Sequence, residues 1–83
     1  MDAAVAFGIV LRRLRLEAGL TQEQLGLEAD LRRTYVSILE LGHQQPTLTT
    51  ILKLATALGT SGQELLRQVE GELLAAPTRR RRG

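Results

Sequence analysis

The chain has 83 residues and no cysteine, which suits one small domain with a modest core and excludes both a disulfide framework and a zinc–thiolate site. Its net charge of +2 misleads, because Arg79 to Arg82 form a basic end while residues 1–78 carry seven basic against nine acidic side chains, about −2. A basic average therefore does not argue for a polyanionic partner, and with one Phe, one Tyr and no Trp the aromatic base-stacking of a single-stranded RNA reader is not supported.

The N-terminal apolar run of about nine residues follows an acid and precedes arginines, the reverse of a secretory leader, and it is too short to span a bilayer. It reads as the start of a helix in a cytoplasmic protein, since the absence of cysteine also fits a reducing compartment. Five helical stretches separated by turns, with no alternating strand pattern, predict an all-α, five-helix domain over residues 1–76 and a basic, disordered tail over 77–83.

The first helix is expected from Ala3 to Ala18, with Phe7, Leu11 and Leu14 as its buried stripe and Gly19 as its stop. Ile9 and Leu16 form a second apolar line on it and read as surplus core. The second helix begins at Thr21, which makes a capping box with Gln24, and runs to Asp30. Gly26 inside it costs about 1 kcal/mol against alanine, a cost explained by close approach of another helix.

The third helix, from Arg33 to Leu41, ends at Gly42. The loop "GHQQP" follows, and Pro46 cannot continue a helix. Thr47 caps a fourth helix, Leu48 to Leu58, with Leu48, Ile51, Leu52, Ala55 and Leu58 expected inward. Gly59 ends it. Ser61 and Glu64 form a second capping-box pattern before a fifth helix from Gly62 to Leu74. Leu54, Leu65, Leu66, Val69 and Leu73 exceed what one small core is expected to bury; with Leu58, the residues Leu54, Leu65, Leu66 and Val69 are expected at a homodimer interface.

At 100° per residue, Val36 and Leu39 of the third helix fall on one side with Tyr35. Arg33, Thr34, Ser37 and Ile38 fall on the other. A guanidinium, two hydroxyls and a branched aliphatic are groups that read base edges in a major groove. A polar outer face more commonly meets only water. Here, however, two short helices joined by a tight turn are arranged as in a helix-turn-helix, and Gln22 lies in the first turn of the preceding helix, where side chain and helix N-terminus can both meet a phosphate. His43 and Gln44 add donors after the third helix. A lone histidine without a second His or Cys does not argue for a metal, and no metal or cofactor is expected. Tyr35 has two readings, packing beside Leu39 or bonding a phosphate.

The stretch "GLTQEQLGLEADLRRTYVSILELGHQQPTLTTILKLATALGTS" resembles the lambda-repressor-like, or Xre, helix-turn-helix family, and "RTYVS" resembles the controller proteins of restriction–modification systems. The likeness covers Phe7 to Leu66. It implies that Arg33, Thr34 and Ser37 face bases, that Gln22 clamps a phosphate, and that Arg15 and Glu40 form a structural ion pair. The chain departs from the family pattern at five positions. Arg32 stands where a capping Ser or Thr is usual, and as a cation it can reach a phosphate. Asp30 replaces a turn glycine, Gly26 an alanine, and Ile38 and Leu41 polar or basic residues.

The function expected is a homodimeric transcriptional regulator of double-stranded DNA, acting on a near-palindromic operator. No membrane partner is expected, and no small-molecule ligand is evident. A protein-interaction module of the same fold, and a phage-type repressor or antitoxin, are the rivals. An enzyme is disfavoured, since there is no nucleophile–base pair, metal cluster or phosphate-cradling glycine loop.

Overall fold

Local signals set the helix ends. A computed structural model describes residues 1–75; the basic tail expected from residue 77 lies outside the described residues. Asp2 caps the first helix, α1 (Ala3–Glu17), by accepting from the Val5 N–H at 2.9 Å. Thr21 and Gln24 form the reciprocal capping box of α2 (Gln22–Ala29). The third helix is α3 (Arg33–Glu40), and Thr47 caps α4 (Leu48–Ala57) by accepting from Thr50 N–H at 3.1 Å. The last is α5 (Gly62–Ala75). The Ser61–Glu64 box forms only in half: Ser61 Oγ accepts from the Glu64 N–H, but the Glu64 carboxylate accepts instead from Arg67 and Gln68.

α1 is the spine. It packs against α5 on one side and α3 on the other, while α2 packs on α3 and α4, and α4 on α5. Leu11, Leu25, Leu39, Leu54, Leu65, Val10 and Val36 are fully buried between them. Each such side chain contributes roughly 1.5–3 kcal/mol by leaving water, and this aliphatic set is the main driving force of a fold with one phenylalanine.

Three expectations about packing are corrected. Leu48 and Leu52 point outward, 68% and 50% exposed, because α4 is rotated so that Thr50, Leu54 and Ala55 take its inner side. The Thr50 hydroxyl is tolerated there because Thr47 Oγ1 hydrogen-bonds it at 3.0 Å. Ile9 and Leu16 are not surplus core: Ala6, Phe7, Val10 and Leu11 fill the inner face of α1 and leave both on its reverse. Leu54, Leu65 and Val69, expected at a dimer interface, lie in the domain's own core, where they close α4 and α5 onto α1. Of that set Leu58 is half-buried and Leu66 is 40% exposed.

Candidate nucleic-acid interface

The turn between α2 and α3 is built tightly. Asp30 adopts the left-handed conformation, φ 58° and ψ 49°, which an Asp tolerates, and the Leu31 N–H returns to Gly26 O at 2.8 Å. A Cβ on Gly26 would stand 2.6 Å from Leu31 O. The close approach is thus made by the turn's backbone rather than by another helix. Arg32 then enters α3 in an extended conformation with no side-chain cap, leaving its guanidinium exposed.

α3 is held from behind. Val36 and Leu39 are fully buried, and the backbone of Leu39 and Glu40 rests on α1 at Gly8, where a Cβ would come within 2.5 Å of both carbonyl oxygens. Gly8 carries no sequence motif. The one signal available was a glycine inside a helix, which costs about 1 kcal/mol unless something packs against it.

A buried polar cluster locks the same corner. Arg15 Nε and Nη2 donate to Glu40 Oε2 and Oε1 at 2.5 and 3.0 Å, and Arg15 Nη1 donates to Leu20 O at 2.9 Å. The Arg15 and Glu40 side chains are 9% and 4% exposed. The hydrogen bond to Glu40 raises the Arg15 pKa above its already high ordinary value, outweighing burial. Gln22 Nε2 also donates to Glu40 Oε1, at 3.0 Å. One carboxylate therefore ties α1, the start of α2 and the end of α3 together. The Gln22 link was not foreseen, because an 18-residue separation in a chain of helices leaves no local trace.

The outer face stays open. Arg33 and Thr34 are exposed, and Ser37 and Ile38 are half-buried at its flanks. Arg32 and Arg33 make no ion pair among the described residues. Between the end of α1, the start of α2 and Arg33 of α3 lies an open groove of about 680 Å³, whose polar and charged lining is Arg15, Thr21, Gln22, Glu23 and Arg33. Tyr35 is half-buried against the core, and His43 and Gln44 are exposed just past Gly42. Gln22 and Arg33 thus meet at one groove with Thr34 exposed beside Arg33, Arg32 lines a separate depression at the turn with Gly26, Leu27, Asp30 and Leu31, and His43 and Gln44 follow the other end of α3. Chemically, this surface offers cations, hydroxyls, an amide and the free N–H groups of two helix ends to an anion with a readable surface. Among the described residues no group of three or more His, Cys, Asp or Glu is placed to hold a metal ion, and no helix is long and apolar enough to cross a membrane.

Comparison with known proteins converges on one group. The helix-turn-helix family matches residues 11–65. An HTH-type transcriptional regulator of Sinorhizobium fredii, y4dJ, is 42% identical over 80% of this chain and 86% of its own length. The control protein C.BamHI of Bacillus amyloliquefaciens is 41% identical over 72% of this chain and 75% of its own. Among solved structures, the restriction-modification controller protein C.AhdI of Aeromonas hydrophila is 47% identical. It superposes with a TM-score of 0.73 over 75% of this chain and 94% of its own.

Proposed function

The chain belongs to the helix-turn-helix family, and we propose from that premise that it is a transcriptional regulator that binds double-stranded DNA sequence-specifically by laying α3 in the major groove. The observation that carries the reading is the orientation of α3. Its apolar side is spent on the core through Val36 and Leu39, which leaves Arg33 and Thr34 free. Arg33 pairs with a guanine edge, Thr34 and Ser37 bond base acceptors, and Ile38 meets a thymine methyl. Gln22, Arg32, Tyr35, His43 and Gln44 position the duplex through phosphates.

The regulator works in the cytoplasm as a homodimer, with two α3 helices about one DNA turn, roughly 34 Å, apart on a near-palindromic operator. What supports this is an apolar strip on α4 and α5: Leu48, Leu52 and Leu66 are exposed, and Gly62, one turn before Leu66, lies against Leu52. The names of its relatives favour a controller of a restriction–modification system over a phage-type repressor or an antitoxin. Selection of bound duplexes from a random pool tests the reading. A two-fold symmetric consensus is expected; no enrichment over the starting pool would leave a protein-interaction module of this fold.

A further inference from the structure

We propose that Leu41 is a specificity-determining residue that senses the C5 methyl group of a pyrimidine in the major groove. The proposal rests on the DNA-binding reading above and adds to it the kind of base at the far end of the contact.

At 100° per residue the core-facing side of α3 is centred between Val36 and Leu39. Thr34 and Leu41, seven residues apart, lie almost diametrically opposite, with Ser37 and Ile38 to either side. Leu41 is therefore central to the outward face, and it is 63% exposed. Its backbone is fixed: φ is −78° and ψ −7°, and its N–H donates to Ser37 O at 3.0 Å. The next residue, Gly42, ends the helix at φ 75° against the Val5 backbone, so the end of α3 is pinned to α1. The side chain is presented by a rigid support, as a reading group must be.

Chemistry then limits what Leu41 can contact. A leucine offers a phosphate neither charge nor donor, so it cannot serve as a backbone anchor. The major groove presents one apolar group, the C5 methyl, on thymine or on 5-methylcytosine. Ile38, one turn earlier on the same face, widens the apolar end of α3. The N-terminal half of the face is polar and charged and the C-terminal half aliphatic, so the methylated base lies at the α3 C-terminal side of each half-site.

The test uses the full chain and duplexes enriched from a random pool. Each thymine in turn is replaced by deoxyuridine, which removes the methyl and keeps the pairing. At the position that Leu41 meets, affinity is expected to fall about fourfold for one half-site and about fifteenfold for both, the value of one buried methyl each. Leu41→Ala and Leu41→Gln, which keep the circular dichroism of the parent because the residue is exposed, are expected to abolish that difference. Comparing cytosine with 5-methylcytosine there, opposite guanine, identifies the source: a larger gain than for thymine over uridine assigns methylated DNA, and a smaller one assigns thymine. Equal binding of thymine and uridine duplexes at every position overturns the proposal, as does a difference that survives both substitutions. Failure to enrich any duplex removes the DNA-binding reading itself.

Discussion

Arg15 holds both carboxylate oxygens of Glu40 across 25 residues of chain, and the oxygen nearest α2 is shared with Gln22. The geometry converts one ion pair into a three-helix joint. Because the pair is buried, each half is costly without the other. Glu40→Ala is expected to lose about 3–5 kcal/mol, since Arg15 stays charged inside. That is a large part of the ~5–15 kcal/mol available to a domain. Replacing Arg15 with Met and Glu40 with Leu together should recover most of the loss. Urea unfolding reads both, and a double variant weaker than the single one contradicts the account.

Two glycines in helices give opposite expectations. At Gly8 a methyl would meet the carbonyl oxygens of Leu39 and Glu40 at 2.5 Å, so α3 must move off α1. Gly8→Ala should destabilise by about 1–3 kcal/mol, as overpacking does, and weaken operator binding because α3 is displaced. At Gly71 nothing lies within 4 Å, so Gly71→Ala should stabilise the isolated domain by about 1 kcal/mol. Melting curves at equal concentration distinguish the two, and a neutral Gly8→Ala would mean the α1–α3 contact is softer than described.

How much of this was legible in the sequence depended on how local the signal was. Thr21 with Gln24, Thr47, and the glycines after each of the first, third and fourth helices fixed element ends to within a residue, because caps act over three or four positions. The outer face of α3 was legible because Val36 and Leu39 fall on one side of the helix and are the pair that the core buries, which leaves Arg33 and Thr34 exposed. The rotation of α4 was not. Leu48, Ile51, Leu52, Leu54, Ala55 and Leu58 surround that helix, so periodicity alone could not choose the buried side, and only its packing against α2 and α5 does. The same ambiguity made Leu54, Leu65 and Val69 look like an interface when they are the core.

Arg33 and Arg32 lie side by side at the start of α3, yet they should differ in kind. Arg33→Ala is expected to cost about 1–3 kcal/mol at one base pair and relax selection there. Arg32→Ala should weaken all duplexes alike and lower the salt slope of binding by about one. Anisotropy titrations on the selected operator and on single-base variants, at several salt concentrations, separate them. If Arg33→Ala weakens every duplex equally, it is a phosphate contact and base reading lies elsewhere on the face.

The Glu64 carboxyl is drawn down to about 2 from an ordinary 4.5, first by the Arg67 hydrogen bonds and then by that of Gln68. A carboxylate whose pKa is depressed by folding stabilises the fold above its unfolded pKa, and that contribution fades as pH falls from about 4.5 through about 2. Because both side chains reach solvent, salt screens the pair and the effect on stability is small. The local titration should nevertheless be plain. In Arg67→Ala the Glu64 side-chain resonance is expected to titrate well above its position in the parent, with the Ser61 cap intact. An unchanged midpoint would show that Arg67 does not hold the carboxylate in solution.

Self-association turns on which apolar residues are left after the core is filled. Leu65 is fully buried, so a polar residue there unfolds the domain and says nothing about a dimer. Leu66 and Leu52 are exposed, so Leu66→Glu and Leu52→Glu should leave the monomer folded while placing like charges against each other across a two-fold axis. Sedimentation at tens of micromolar is expected to show the parent as a dimer and each variant as a folded monomer. Operator binding by the variants should fall far more on a two-half-site duplex than on one half-site, since only the former gains from a linked second contact. A parent that sediments as a monomer with and without operator would remove the dimer, and variants that remain dimeric would move the interface to the other exposed strip, on α1 around Val5, Ile9 and Leu16.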